Sequence, residues 1–371
     1  MKKNKRTYIL PIALAGCMIL GVFIGKKMST GSELTASNSS YGEVEYKKMQ
    51  DIIKILDSRY VDKVNGDSIF ESAISDMLQK LDPHSSYISG KDIALMNEQI
   101  HGEFAGIGVR FFIIRDTVCI TNVIENSPSE AAGLLAGDKI IKVDKQEIAK
   151  NKIDNEQVMG LLKGPQGTTV KVTVLRNGKR ITKTITRGAI PINSITSAYM
   201  INSTIGFIKI DQFSLTTTKE FKQAANKLLN AGMQGLVLDL RNNGGGVLKS
   251  ATDIADEFLT ANKVIVSTKG THSPEKKYVS TSAGMLEKTK LVVLINENSA
   301  SASEILAGAL QDHDRATIIG RRSFGKGLVQ EDVSLRDGSN LRLTIARYYT
   351  PTGRCIQKSY DGSVEDYYHE Q

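Results

Sequence analysis

The spacing of apolar residues changes along the chain and divides it into five parts. Residues 1–27 contain an uninterrupted apolar run, and residues 28–41 are small and polar, as is typical of a linker. Residues 42–102 show helical spacing, and residues 103–187 show the alternation of short strands. Residues 188–371 alternate apolar strands with helices. The pattern predicts a multidomain α+β protein whose last part is an α/β core.

The apolar run at residues 8–25 has no charge over 18 positions. A membrane-spanning helix needs about 17–25 apolar residues, so the run is long enough to cross a bilayer. Four basic residues precede it and two follow, which favours a cytoplasmic tip and a transmembrane anchor with the rest of the chain outside the cytoplasm. Two alternatives stay open: residues 14–17 are similar to a lipoprotein box, and a cleaved signal peptide would give the same location.

The net charge of +8 does not indicate a nucleic-acid-binding protein. Six of the eight excess positive charges lie within residues 1–27, which contain no acidic residue. The remainder is nearly balanced and has no basic stripe interleaved with aromatic residues. We therefore expect a membrane as a partner of the N-terminal segment and no nucleic acid.

The cysteines and histidines show no metal-ligand spacing, and we expect no metal or other cofactor. Cys17 lies in the apolar run, which leaves Cys119 and Cys355. These two form either a disulfide or two thiols. The interpretation that we favour is two buried thiols that act as small apolar residues.

Residues 42–102 are predicted to be mainly helical. Within residues 68–81, seven apolar residues fall on one helix face, and Asp82-Pro83 ends the helix. We expect this face to pack in the interior, and a contact between two copies of the chain is the alternative.

Residues 103–187 are predicted to form a compact β module. Apolar residues alternate within residues 170–174 and again after Asn177-Gly178, a two-residue turn that is typical of a β-hairpin.

Three segments of this module, Gly106–Val109, Ser127–Leu134 and Gly137–Ile141, together resemble a PDZ domain of the type associated with bacterial proteases. In such domains a glycine loop turns backbone N–H groups toward the C-terminal carboxylate of a peptide, which then adds as a strand. The resemblance implies that the peptide-binding loop consists of Gly106, Ile107, Gly108 and Val109. Polypeptide C-termini are the expected ligands; a module that only spaces domains is the alternative.

In the α/β core, a buried strand at residues 291–295 is followed by small residues and a helix that extends to Asp312. Ser301 falls near the start of this helix, where backbone N–H groups lack helical partners and stabilise negative charge. Its neighbours Ala300 and Ala302 leave room for a substrate backbone. Taken alone, the segment is more typical of a serine that only caps a helix.

Lys326 lies between two glycines after a short strand at residues 317–319. A loop lysine is usually solvated, but a lysine that is buried beside a serine loses its charge more easily because burial disfavours the charged form. A neutral lysine can take the proton of the serine hydroxyl, as in Ser-Lys variants of serine hydrolases.

Several segments together carry a more specific resemblance. Gly235–Leu248, Ser299–Glu304, Phe324–Gln330 and Leu81–Tyr87, with the PDZ-like module in its expected place, are similar to the carboxy-terminal processing proteases, also called tail-specific proteases. The resemblance covers about residues 42–352 and implies a protease core of the ClpP/crotonase-like type. The implied activity is that of a serine endopeptidase that cleaves polypeptides near their C-termini.

The resemblance also implies a role for individual residues. Ser301 is the nucleophile, Lys326 is the general base, and Gln330 orients or hydrogen-bonds the lysine. The backbone N–H groups of Ala302 and of a glycine, Gly245 in preference to Gly246, hold the oxyanion.

Two acidic residues on the helix have weaker implied roles. Asp312 supports the site or is a surface acid at the helix end, and Glu304 is interpreted as a first-turn helix charge rather than a catalyst.

The sequence departs from the family pattern at two points. Gly244 stands where a proline is common, and the chain ends shortly after Arg354, where many relatives continue. We therefore expect less rigid oxyanion donors and altered assembly. A second copy of the chain, in a homodimer, or a regulatory adaptor is a further expected partner. A catalytically silent peptide-binding scaffold is the alternative function, and it would need neither Ser301 nor Lys326.

Overall fold

The computed structural model describes residues 43–282, 284–360 and 367–368. The predicted anchor at residues 8–25 and the linker at residues 28–41 lie outside the described residues. No helix in the described part of the chain is long and apolar enough to cross a membrane. The described residues divide between two compact units, with the boundary at Phe70 and Glu71.

The region before the β module is helical, as predicted. Its elements are α1 (Glu43–Arg59), α2 (Gly66–Gln79), β1 (Ser86–Ile88) and α3 (Gly90–His101). The apolar face expected to pack in the interior is instead largely exposed among the described residues: Ile69 is 45%, Phe70 51%, Met77 54% and Leu81 59% exposed, whereas Leu78 is buried. The prediction of a helix is confirmed, but the prediction that this face is buried is wrong for these four exposed residues.

The β module is a six-stranded antiparallel sheet with two short helices and a separate strand pair. The elements are β2 (Glu103–Gly106), β3 (Val109–Ile113), β4 (Val118–Val123), α4 (Pro128–Ala131), β5 (Lys139–Val143), β6 (Gln146–Glu147), α5 (Asn155–Leu162), β7 (Thr169–Arg176), β8 (Lys179–Thr186) and β9 (Gly188–Pro191). The sheet order is β3-β4-β5-β7-β8, with β6 on β5, and β2 pairs with β9. The predicted hairpin is confirmed: Asn177 and Gly178, with φ of 49° and 78°, join β7 to β8.

The second half contains two further sheets. Its elements are β10 (Ile195–Met200), β11 (Ile205–Ile210), α6 (Thr217–Asn230), β12 (Gly235–Asp239), α7 (Leu248–Asp256), β13 (Val264–Lys269), β14 (Lys276–Val279), β15 (Lys290–Ile295), α8 (Ala302–Asp312), β16 (Thr317–Gly320), β17 (Leu328–Ser334) and β18 (Asn340–Tyr349). The first sheet has the order β10-β11-β12-β15-β16. Its last four strands are parallel, as expected from the alternation of strands and helices.

The second sheet of this half is antiparallel, and the apolar pattern did not predict it. Its order is β1-β18-β13-β14, and β17 pairs with β18. Strand β1 precedes the β module in the chain but pairs with a strand of the second half: Tyr87 lies opposite Leu341. Residues 86–88, which precede the β module in the chain, therefore belong to a sheet of the second half.

Helix α8 lies between the sheets and is buried almost all round, with eight of its residues buried. Because β12 and β15 are parallel neighbours, the turns after them emerge at the same edge of the sheet. The glycine turn and the serine turn are therefore adjacent in space.

The two cysteines of the described residues are free thiols. Cys119 is half-buried and Cys355 is exposed, so the favoured interpretation of two buried thiols is wrong for Cys355. Local hydrophobicity did not reveal that residue 355 follows a surface turn.

Candidate active site

Ser301 occupies the N-cap position of α8 in a strained backbone conformation, with φ 55° and ψ −111°. Such a conformation costs about 1–3 kcal/mol for a residue other than glycine, and it persists only where the surroundings hold it. Those surroundings are the other two serines of the motif, both fully buried. Ser299 Oγ donates to Leu240 O at 2.8 Å, and Ser303 Oγ donates to Asn243 O at 2.9 Å. The flanking serines are therefore structural, and Ser301 alone of the three lines a cavity.

The turn after β12 lies directly against Ser301. Asn243 is fully buried and organises this turn: its Nδ2 donates to Ile210 O, and its Oδ1 accepts from Gly245 N, both at 2.9 Å. Gly245 has φ 101°, and a Cβ on it would lie 2.8 Å from Ser301 Cβ. A Cβ on Gly246 would lie 2.0 Å from Phe213 O. Only glycine fits at these two positions.

The expected preference for Gly245 over Gly246 as an oxyanion donor does not fit this geometry. The N–H of Gly245 is already donated to Asn243 Oδ1. Gly246 lines the same cavity. The N–H of Ala302, at the first helical position, has no partner within the helix. The sequence could not show that a neighbouring asparagine side chain takes the Gly245 donor.

Lys326 lies in the loop Phe324–Gly327, between β16 and β17, and faces the same cavity as Ser301. Burial lowers the pKa of the Lys326 ammonium, and the nearby positive charge of Arg342 lowers it further, whereas Asp82 raises it. The cavity is about 590 Å³ in volume. Its lining includes Ser301, Lys326, Gln330, Gly245, Gly246 and Arg342. Five of the residues named from the sequence are therefore brought to one place.

Glu304 makes contacts in the candidate site that the sequence analysis missed. Its buried carboxylate accepts the backbone N–H of Ser301 at 2.8 Å, that of Gly325 at 2.7 Å and that of Lys326 at 2.8 Å. Burial raises the pKa of this carboxyl, and the hydrogen bonds oppose that rise. One carboxylate thus ties the backbone of the candidate nucleophile to that of the candidate base. The three-residue spacing from Ser301, typical of a capping box, was the available signal.

Gln330 does not make the predicted contact with Lys326. It lies on β17 and lines the cavity, but its Nε2 donates to His84 O. The backbone turn at His84 is itself held by Asp82, whose Oδ1 accepts from His84 N and Ser85 N, both at 2.8 Å. Ser301 Oγ and Lys326 Nζ, both described, are not hydrogen-bonded to each other either. The candidate residues share a cavity in this structure without being engaged with one another.

Asp312 is not part of this cavity. It lies at the far end of α8, where its carboxylate accepts from Thr352 N at 3.0 Å and Thr352 Oγ1 at 2.6 Å and pairs with Arg354. Although burial acts in the opposite direction, hydrogen bonds from Thr350, Thr352 and Arg354 lower the pKa of Asp312 to about 2. The expectation that Asp312 supports the candidate catalytic residues is therefore replaced by a structural role in the turn after β18.

The loop Gly106–Val109 joins β2 to β3 in the β module. Ile107 is buried, Gly108 O accepts from Ile124 N at 3.0 Å, and Ile107 O accepts from Ser129 N at 2.9 Å. Strand β3 is the end strand of its sheet, so one of its edges is unpaired among the described residues. The carbonyl groups of the loop are thus fixed inward beside an edge that can accept an added strand.

Models of known protein families match three parts of the chain. A model of peptidase family S41 matches residues 204–368, a PDZ domain model matches residues 105–186, and a model described as the activating protease CtpB N-terminal domain matches residues 16–91.

Two curated relatives are similar over nearly the whole chain. A carboxy-terminal-processing protease of Bartonella bacilliformis is 36% identical over 347 residues, which cover 91% of this chain and 79% of the relative. A probable CtpA-like serine protease of Staphylococcus haemolyticus is 34% identical over 360 residues, which cover 95% and 72%.

Two solved structures are also similar. The photosystem II D1 C-terminal processing protease is 29% identical, with a TM-score of 0.46, over 84% of this chain and 90% of that one. The PDZ domain of a carboxy-terminal protease from Vibrio cholerae, solved in complex with a peptide, is 29% identical with a TM-score of 0.22, over 24% of this chain and 97% of that one.

Proposed function

The chain belongs to peptidase family S41, the carboxy-terminal-processing serine proteases, and we propose that it is an endopeptidase with Ser301 as nucleophile and Lys326 as general base. The observation that carries the proposal is their shared setting. A strained serine at a helix start and a half-buried lysine of lowered pKa line one cavity, and the Glu304 carboxylate binds the backbone of both.

The mechanism follows from these groups. Neutral Lys326 takes the proton of the Ser301 hydroxyl while Oγ attacks the scissile carbonyl carbon. The oxyanion is held by the N–H of Ala302 with that of Gly246, or with that of Gly245 once it leaves Asn243. Collapse breaks the C–N bond, and Lys326 returns the proton to the leaving amine. Water then hydrolyses the acyl-enzyme with Lys326 again as the base.

Engagement of this pair depends on a bound substrate. Ser301 Oγ and Lys326 Nζ are not hydrogen-bonded in this structure, and Gln330 is bonded to His84 instead of Lys326. Catalytic hydrogen bonds often tighten only in the substrate complex. We assign the present arrangement to a resting state in which Gln330 has yet to reach the lysine.

The PDZ domain supplies the substrate in this proposal. The loop of Gly106, Ile107, Gly108 and Val109 captures the C-terminus of an unfolded or flexible polypeptide, which adds to the edge of β3. The chain is then fed to Ser301. The exposed apolar face of α2 is our proposed contact for a second copy of the chain or for a regulatory adaptor.

The proposed location is the outer side of a bacterial cytoplasmic membrane. It rests on the sequence of residues 8–25 and the basic residues around them. A membrane-impermeant thiol reagent tests it: the exposed Cys355 should be labelled in intact spheroplasts. Protection of that cysteine until the membrane is permeabilised would contradict the location.

The activity is tested by incubating the purified full chain with an unfolded polypeptide that has an apolar C-terminus. The parent should cleave it, and Ser301→Ala and Lys326→Ala should each lose nearly all turnover. Equal cleavage by either variant would refute the roles assigned here. Binding of the polypeptide without cleavage by the parent would instead support the silent scaffold.

A further inference from the structure

The loop that carries Lys326 is held on its outer side as well as by Glu304. Gly325 O accepts from Lys358 N at 2.9 Å, and Gly327 N donates to Gln357 Oε1 at 2.8 Å. A Cβ on Gly327 would lie 2.2 Å from Gln357 N, so the two segments are in direct contact. Residues 357–358 therefore form a wall behind the candidate base.

Tyr367 closes this wall. Its side chain is only 3% exposed, and its hydroxyl lies 2.8 Å from His84 Nε2 and 3.0 Å from Gln357 Nε2. The amide nitrogen of Gln357 can only donate, so the phenol oxygen accepts from it and the phenol proton is left for His84 Nε2. The protonation states agree with this order: burial, with help from the Lys326 charge, lowers the pKa of His84 to about 4, and burial raises that of Tyr367 to about 12.

The ring of Tyr367 also packs between the groups that it bonds. Its centroid lies 5.3 Å from that of His84 and 5.7 Å from that of Phe324, with both pairs edge-on. These are the distances and orientations that aromatic pairs prefer. The ammonium of Lys358 lies 4.4 Å from the same centroid. Tyr367 therefore fills the space between the turn at His84 and the loop of Lys326.

Through these two contacts Tyr367 reaches the segments that carry Lys326 and its predicted partner Gln330. On one side it packs on Phe324, two residues before Lys326. On the other side it bonds His84, whose carbonyl oxygen accepts from Gln330 Nε2. Tyr367 is not among the residues that line the cavity, so it does not touch a substrate bound there.

We propose that Tyr367 is a positioning residue of the protease site, which fixes the Lys326 loop and the His84 turn relative to each other and so sets the geometry of Lys326 and Gln330. The inference rests on the proposed roles of those two residues. It assigns to Tyr367 an effect on turnover and none on substrate binding.

The test compares Tyr367→Ala, Tyr367→Phe and a control, Tyr278→Ala, in the full chain. Tyr278 is a half-buried tyrosine on β14 that packs against the core and is not among the residues that line the cavity. We expect Tyr367→Ala to lower kcat for peptide cleavage about 10- to 100-fold, as misplacement of a catalytic group by about 1 Å does, with KM within about twofold of the parent. Tyr367→Phe keeps the ring and should recover part of this loss. Tyr278→Ala should lower the melting temperature with little change in kcat.

Unchanged kcat in a folded Tyr367→Ala protein would overturn the inference, and so would a loss of kcat that Tyr278→Ala reproduces at equal loss of melting temperature. If Tyr367→Ala does not fold, Tyr367→Phe decides, because it lacks only the hydroxyl: a kcat equal to that of the parent refutes the role. Failure of the proposed function is seen separately, as a Ser301→Ala protein that still cleaves.

Discussion

The serine side and the lysine side of the site are held by different kinds of contact. Ser301 lies between a strand and a helix that follow each other in the chain. The turn at Leu240–Asn243, which follows the adjacent strand β12, fixes the two flanking serines. Lys326 lies in a loop without regular structure. That loop is held by Glu304 from inside, by residues 357–358 from outside, and through Phe324 by His84 and Tyr367.

This difference indicates which side of the site is adjustable. The serine backbone is strained and fully supported, so a shift there would disturb the core of α8. The lysine loop depends on contacts from several distant segments, each of which can move separately. Alignment of the pair is therefore expected to be controlled from the lysine side, which agrees with the absence of a Ser301–Lys326 hydrogen bond in this structure.

The largest effect on activity is expected from Gly245→Ala, which should displace Ser301 and its neighbours. The new Cβ would lie 2.8 Å from both Ala300 O and Ser301 Cβ, at a φ of 101°. Displacing Ser301 and the oxyanion donors together should lower kcat by about 100-fold or more. The neighbouring Gly244→Ala is the control, because a Cβ there meets nothing within 4 Å. Similar peptide-cleavage rates for the two variants would contradict the supported geometry of the serine.

The next effect is expected from Glu304→Gln, which loosens the link between the two sides. An amide cannot accept all three backbone N–H groups, because its nitrogen is a donor. We expect kcat to fall about 10- to 100-fold. Glu331→Gln, at an exposed position on β17, should keep the parent rate. A Glu304→Gln protein with full activity would show that the two sides are held independently.

A smaller effect on the lysine side alone is expected from Arg342→Gln. In the proposed mechanism neutral Lys326 is the active form, so we expect activity to rise as the pH rises through the pKa of Lys326. Arg342 lowers that pKa and Asp82 raises it; removing the guanidinium should therefore move the rise of kcat/KM to higher pH. Arg347→Gln, on the same strand but exposed, should leave the profile in place. A shift to lower pH would contradict the electrostatic assignment.

The smallest effect on activity is expected from Asp312→Asn, which touches neither side. Loss of the bonds to Thr352 and Arg354 should lower the free energy of unfolding at pH 7 by about 1–3 kcal/mol, measured in urea. Because the pKa is lowered from 3.8 to about 2, this contribution is present above about pH 4 and is lost as the pH falls toward 2. Asp314→Asn is the exposed control. If Asp312→Asn lowered kcat for peptide cleavage as much as Glu304→Gln does, Asp312 would have to be counted as part of the candidate active site.

The same division explains what the sequence could predict. The strand–turn–helix unit at Ser301 and the hairpin at Asn177-Gly178 are local, so apolar spacing and turn residues predicted them. The meeting of Ser301 and Lys326 followed from the family resemblance. The bonds of Glu304 to residues 325–326 and the contacts of His84 with Tyr367 depend on how distant segments pair, above all on β1 joining β18. No local spacing encodes such contacts, and for that reason the bond of Gln330 to His84 O could not be predicted.

The central claim, that Lys326 activates Ser301, is tested most directly by the rate at which a serine-directed fluorophosphonate labels the protein as a function of pH. The parent should be labelled at Ser301, with a rate that rises with pH as Lys326 loses its proton. Lys326→Ala should be labelled more slowly than the parent by a factor of about 100 or greater, and Ser301→Ala should not be labelled. Labelling of Lys326→Ala at the parent rate, or of the parent at another serine, would contradict the claim.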